Sequence, residues 1–130
     1  MLKISLTLFA ALAFLSTSAR SAEIRNVSMI QLIATPQKYH GLRVRVTAFL
    51  NLEFEGNALY LHREDFEKSL LENAIWIELT DKQLTASTKL SGGYTLVEGT
   101  FSAKERGHFG MFSGSVRQVT RIQSWERKAK

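Results

Sequence analysis

From residue 42 to 54 the chain reads LRVRVTAFLNLEF, with Leu42, Val44, Val46, Ala48, Leu50, Leu52 and Phe54 apolar at every second position. Arg43, Arg45, Thr47, Asn51 and Glu53 fill the gaps. A strand turns successive side chains to opposite faces, so this alternation predicts a long half-buried strand with its even-numbered residues in a core. Phe49 breaks the polar series, and the same alternation sets it on the solvent side beside the arginines.

The period of two recurs along the chain. Ala58 to His62 places Leu59 and Leu61 on one side and Tyr60 and His62 on the other, and the turn signal EGN at 55–57 makes a hairpin with the first strand. Ala74 to Leu79 is a third strand, with Ile75, Ile77 and Leu79 inward and Trp76 and Glu78 outward. Gly92 and Gly93 form a turn into a fourth, Tyr94 to Phe101, where Gly99 predicts a bulge or a close backbone contact. Ser115 to Trp125 is rich in Val, Thr and Ile, but Val116, Val119, Ile122 and Trp125 recur every third position, which fits a helix as well as a bulged strand. A strand is the better reading because the fourth needs a partner.

Helical spacing is confined to short stretches. Ser28 and Gln31 have the spacing of a capping box before Met29, Ile30, Leu32 and Ile33, and Pro36 stops that helix because the residue before a proline is driven out of helical geometry. The segment QKYHG then turns the chain, with Gly41 supplying a positive φ that other residues resist. In REDFEKSLLEN, Phe66 and Leu70 are four apart, as are Glu64 and Lys68, giving a short surface helix after the hairpin. Asp81 to Leu90 reads as a loop or a poor helix. These elements together predict a mainly β fold: a five-stranded OB-like Greek-key barrel with short helices before the first strand and between the second and third.

The leader changes the picture of where this barrel works. Lys3, the apolar run ISLTLFAALAFL and the small residues Ser16 to Ala19 have the order of a secretory signal peptide, and the run is too short for a membrane-spanning helix. The expected organisation is a signal peptide over 1–19 and one OB-like domain over 20–130, periplasmic or secreted, with no membrane span in the mature chain. With no cysteine, neither a lipid-anchoring motif nor disulfides are available, so stability must come from packing. The formal charge of +5 drops by one with Lys3, and the remainder is interspersed in sign. It is a mild preference for anions, not a polybasic nucleic-acid block. The basic tail ERKAK reads as a solvated terminus.

Four blocks, YHG at 39–41, EFEGNALYLHREDF at 53–66, VEGTF at 97–101 and GHFGMFSG at 107–114, resemble a biochemically uncharacterised family of small secreted bacterial proteins similar to OB-fold domains. The resemblance covers most of the mature chain and implies an exported OB-like domain. It implies no catalytic residue.

Candidate sites follow from what the outward faces collect. Arg43, Arg45, Phe49, Tyr60 and Trp76 combine basic groups with aromatic platforms, the combination by which OB barrels stack single-stranded nucleic acid. The competing account is that the short helices cover these aromatics as a second small core. His108 and Phe109 lie in a glycine-punctuated loop that is either ligand-binding or a structural turn in which Phe109 and Phe112 plug the barrel end. His40, His62 and His108, with Glu53, Glu55, Glu64 and Asp65, lack the spacing of any strong metal motif. There is no GxSxG elbow and no cysteine nucleophile, and Glu53 and Glu55, which share a strand face, read as hairpin charges. The expected function is a non-catalytic binding module for a protein, peptide or small envelope ligand, without cofactor or metal. Single-stranded nucleic acid or another polyanion is the second partner class, disfavoured by export.

Overall fold

The structure, a computed structural model, describes residues 22–128, so the leader expected at 1–19 and the last two residues lie outside it. In chain order the elements are β1 (Arg25–Asn26), α1 (Met29–Ala34), α2 (Pro36–Tyr39), β2 (Arg43–Asn51), β3 (Ala58–Tyr60), α3 (Arg63–Glu67), β4 (Ala74–Ile77), α4 (Asp81–Ser87), β5 (Gly93–Ser102) and β6 (Ser115–Ser124). The sheet runs β1-β2-β3-β4-β6-β5, and β5 returns to pair with β2, which closes β2 to β6 into a five-stranded barrel. Only β4–β6 is parallel among the barrel pairs. This is the OB-like Greek key that the strand pattern predicts. The two-residue β1, parallel to β2, is an addition that no sequence signal marked.

β2 is the strand that joins everything else. Val44, Val46, Ala48 and Leu50 point into the core as their alternation requires, while the strand pairs with β5 along Arg43 to Leu50 and with β3 along Phe49 to Asn51. The strand ends earlier than its apolar pattern, and Phe54 is not in the core: it is 91 % exposed. Asn57 Oδ1 accepts from the Glu53 amide and Gly56 donates back to the Glu53 carbonyl, so the chain reverses before Phe54 could turn inward.

Local chemistry explains the helices. Ser28 and Gln31 form the reciprocal capping box at the start of α1, with Met29 and Leu32 buried beneath. Pro36 follows α1 and also occupies the first turn of α2, where its missing N–H costs nothing, so a one-turn helix stands where a plain turn was expected. Thr80 and Gln83 make a second capping box. With that cap the stretch 81–90, expected as a loop or a poor helix, forms α4 and a 3-10 turn.

β6 resolves the period-three ambiguity. Gln118 adopts φ of +48° and the β5–β6 register shifts between Glu98 and Thr100, so the bulge lets Val116 and Val119 both face inward. Gly99 lies opposite this bulge, where a Cβ would come within 2.5 Å of Val116 Cγ1 and 2.8 Å of the Arg117 carbonyl oxygen.

A second cluster sits on the outer face of the barrel. Phe49 is 2 % exposed, not a surface platform, and Tyr60 is 3 % exposed. With Ala58, Ala74 and Phe112 they form a small core under α3, whose Phe66 ring centroid lies 5.8 Å from that of Phe49 and 5.4 Å from that of Tyr60. Tyr94 closes the other side of Phe49 edge-on at 5.6 Å. Burial, aided by the Glu53 carboxylate, pushes the Tyr60 hydroxyl above its ordinary pKa. The physical reason is that α3 must cover something apolar, and the aromatics on the polar face of the hairpin are what it covers.

Candidate functional site

The buried aromatics split the set of expected ligand-binding residues. Phe49 and Tyr60 are core, so neither is available as a stacking platform. Trp76 is half-buried, edge-on to Phe112 at 5.5 Å. Arg43 donates to the Gln118 carbonyl and the Thr120 hydroxyl, where it braces the β6 bulge.

Arg45 belongs to an ion cluster on the barrel exterior. Its Nε donates to Glu98 Oε1 at 2.7 Å and Arg121 Nη1 donates to the same oxygen at 3.1 Å. The Arg45 hydrogen bond, opposed by partial burial and assisted by Arg121, holds the Glu98 carboxyl below its ordinary pKa. A carboxyl with a depressed folded-state pKa contributes stability at pH above the ordinary carboxylate range, and loses it as pH falls through the folded value. Glu98→Gln is therefore expected to lower stability by about 1–2 kcal/mol at pH 7, with the gap to wild type narrowing toward pH 3. Urea unfolding at the two pH values measures this.

His108 and Phe109 occupy a different place, the rim where two loops meet. The loop from β5 to β6 is pinned from inside. Arg106 Nε donates to the Phe112 carbonyl at 2.7 Å, the Phe112 amide donates back to the Arg106 carbonyl at 3.1 Å, and Phe112 itself is buried. Ser113 Oγ donates to the Glu72 carbonyl at 2.6 Å and the Ser113 amide to the Ala74 carbonyl at 2.9 Å. Gly107, at φ of +68°, rests on the Trp76 ring so closely that a Cβ would come within 2.7 Å of it. Phe112 is thus buried, but in the outer cluster beside Trp76 and not as a plug of the barrel end, and Phe109 is not buried at all: it stands 84 % exposed.

The β2–β3 turn supplies the other half of the rim. His108 Nε2 lies 3.4 Å from Glu55 Oε2, which ties the two loops together. Glu55 and Phe109 both take left-handed backbone conformations, with φ of 55° and 52°, that side chains ordinarily avoid. The result is a preorganised tip on which Phe54, Phe109 and the partly exposed Met111 face solvent. Strain of this kind persists only where the surroundings enforce it, and it concentrates at binding sites. Phe54 and Met111 escaped the sequence reading. Phe54 continued the strand alternation too smoothly, and the EGN turn immediately after it was the signal that the strand had already ended.

The histidines do not converge. His40 Nδ1 accepts from the Ala103 amide, His62 lies beside Asp65 and His108 beside Glu55. Among the described residues no group of three or more His, Cys, Asp or Glu is placed to hold a metal ion. The Glu53 side chain folds over Gly56 while Glu55 turns to His108, so these carboxylates part. No helix among the described residues is long and apolar enough to cross a membrane. No protein-family model, curated protein or solved structure matches this chain.

Proposed function

We propose that this chain is an exported, non-catalytic OB-like binding module that recognises a protein or peptide through the rim formed by Phe54, Phe109 and Met111. The observation that carries the reading is the exposure of two phenylalanines, 91 % and 84 %, each next in sequence to a member of the Glu55–His108 contact that joins their loops. A phenylalanine transferred from water to an apolar contact gains roughly 1.5–3 kcal/mol, so two held in place by the fold supply an anchor without a large ordering cost. Such aromatic anchors, fixed before contact and surrounded by polar residues, are how small interfaces gain most of their affinity. Export is supported by the leader pattern over 1–19, which would place the rim among envelope or extracellular partners. A small envelope ligand fits this tip less well than a protein, because a projecting rim needs a partner that wraps it.

The test is capture from envelope extract with wild type beside the Phe54→Ser, Phe109→Ser double variant. Both side chains are exposed, so the variant is expected to keep the wild-type unfolding midpoint and to lose at least tenfold in recovery of any partner. A partner captured equally by both proteins would overturn the reading.

A further inference from the structure

A second surface, separate from the rim, lies on the outer face of β2 and β5. There the β1–α1 segment, the end of β3 and the residues after β6 bound an open groove of about 730 Å³. Its apolar walls are Val27, Ile30, Leu61, Leu96 and Trp125, of which Ile30 and Trp125 are 61 % and 57 % exposed. The polar lining is one-sided: Arg45 and His62 are its basic groups, and no carboxylate among the described residues lines it.

Arg45 spends Nε on Glu98 and Nη1 on Asn26 Oδ1, and Nη2 has no partner among the described residues. Asn26, accepting through its oxygen, keeps its amide donors. Tyr94 accepts at its hydroxyl from the Arg63 amide at 3.3 Å and keeps the hydroxyl proton to donate. Behind Arg45, Glu98 is shared with Arg121, so the cluster holds two guanidiniums against one carboxylate and retains a positive charge. An apolar trough edged by donors and a net cation is complementary to an apolar chain bearing a single anionic head.

We infer that this groove binds a medium-chain carboxylate, with its chain along Leu61, Leu96 and Trp125 and its head at Arg45. The volume is of the size that holds small amphiphiles. A neutral chain of the same length loses the charge-assisted hydrogen bond to Arg45, and a cationic one is repelled.

The experiment titrates the purified chain with dodecanoate, dodecanol and dodecyltrimethylammonium below their micelle concentrations, by calorimetry and by ¹H–¹⁵N spectra. Dodecanoate is expected to bind at least tenfold tighter than dodecanol, with shifts at Leu61, Leu96 and the Trp125 indole, and the cationic chain to bind no better than dodecanol. Thr47→Glu, which places a carboxylate on the exposed groove wall, is expected to weaken dodecanoate at least tenfold and leave dodecanol unchanged. Equal affinity for the three chains, no binding of dodecanoate, or shifts confined to Phe54 and Phe109 would overturn the inference. The wild-type comparison decides it even where Thr47→Glu fails to fold.

Discussion

Phe49→Ala lowers the stability of the domain by about 3–5 kcal/mol, the largest single effect expected from this structure. Phe49 is 2 % exposed, with Phe66 and Tyr94 rings on two sides and the Arg63 guanidinium carbon 5.1 Å from its ring centroid. Truncation removes the ring's transfer free energy and leaves a cavity between barrel and helix that α3 can close only in part. The sharper measurement is a double-mutant cycle in urea with Phe66→Ala. The two rings share one cluster, so the double variant is expected to cost less than the two single costs added together. If Phe49 were a surface platform, its loss would leave the unfolding midpoint where it is. An unchanged midpoint would thus reinstate the solvent-facing reading of β2.

Gly107→Ala is the second large effect, about 2–5 kcal/mol, because two costs coincide at one atom. The residue has φ of +68° and ψ of −158°, a region essentially confined to glycine where another residue pays roughly 1–2 kcal/mol, and the added methyl would lie 2.7 Å from Trp76 Cε3, an overpacking worth roughly 1–3 kcal/mol more. The strain cannot be relieved by moving a flexible chain end, since the obstruction is an indole already held against Phe112. The loop is expected to lift, separating His108 from Glu55 and scattering Phe109 and Phe54. Gly107→Ala should therefore depress both the unfolding midpoint and partner capture, whereas the Phe54→Ser, Phe109→Ser variant depresses capture alone. A Gly107→Ala protein within about 0.5 kcal/mol of wild type, the range of an ordinary surface change, would show that the loop is not seated on Trp76.

These two residues also mark how far the sequence could be read. Where one physical rule acted alone, reading succeeded. Alternation alone identified the inward set of β2, the hairpin followed from the EGN turn, and the α1 cap followed from Ser28 and Gln31. Reading failed where a tertiary partner overrode the local pattern. Alternation correctly put Phe49 on the outer face, but only the placement of α3 decides that this stretch of outer face is covered. Phe49, Tyr60 and Phe66 were a legible hint, three aromatics on or beside polar faces with no other place to pack. Thr80 and Gln83 carried the same capping signal as Ser28 and Gln31, and the β-hydroxyl residues after them masked it. The rim was half legible: His108 and Phe109 stood out among glycines, while Phe54 was hidden in the strand pattern that it appeared to extend.

The pairing of β2 with β5 sets how this chain must fold. Residues 43–50 find their barrel partners in residues 93–100, and β6 bridges β4 to β5, so the ring cannot shut until distant parts of the chain have met. Loop-closure entropy has to be met before those contacts reward it, which puts folding on a scale of roughly milliseconds to seconds, slower than helical proteins of equal size. A nascent chain that has not yet reached residue 93 contains the residues of β2, β3 and β4 but none of the seam that joins β2 to β5.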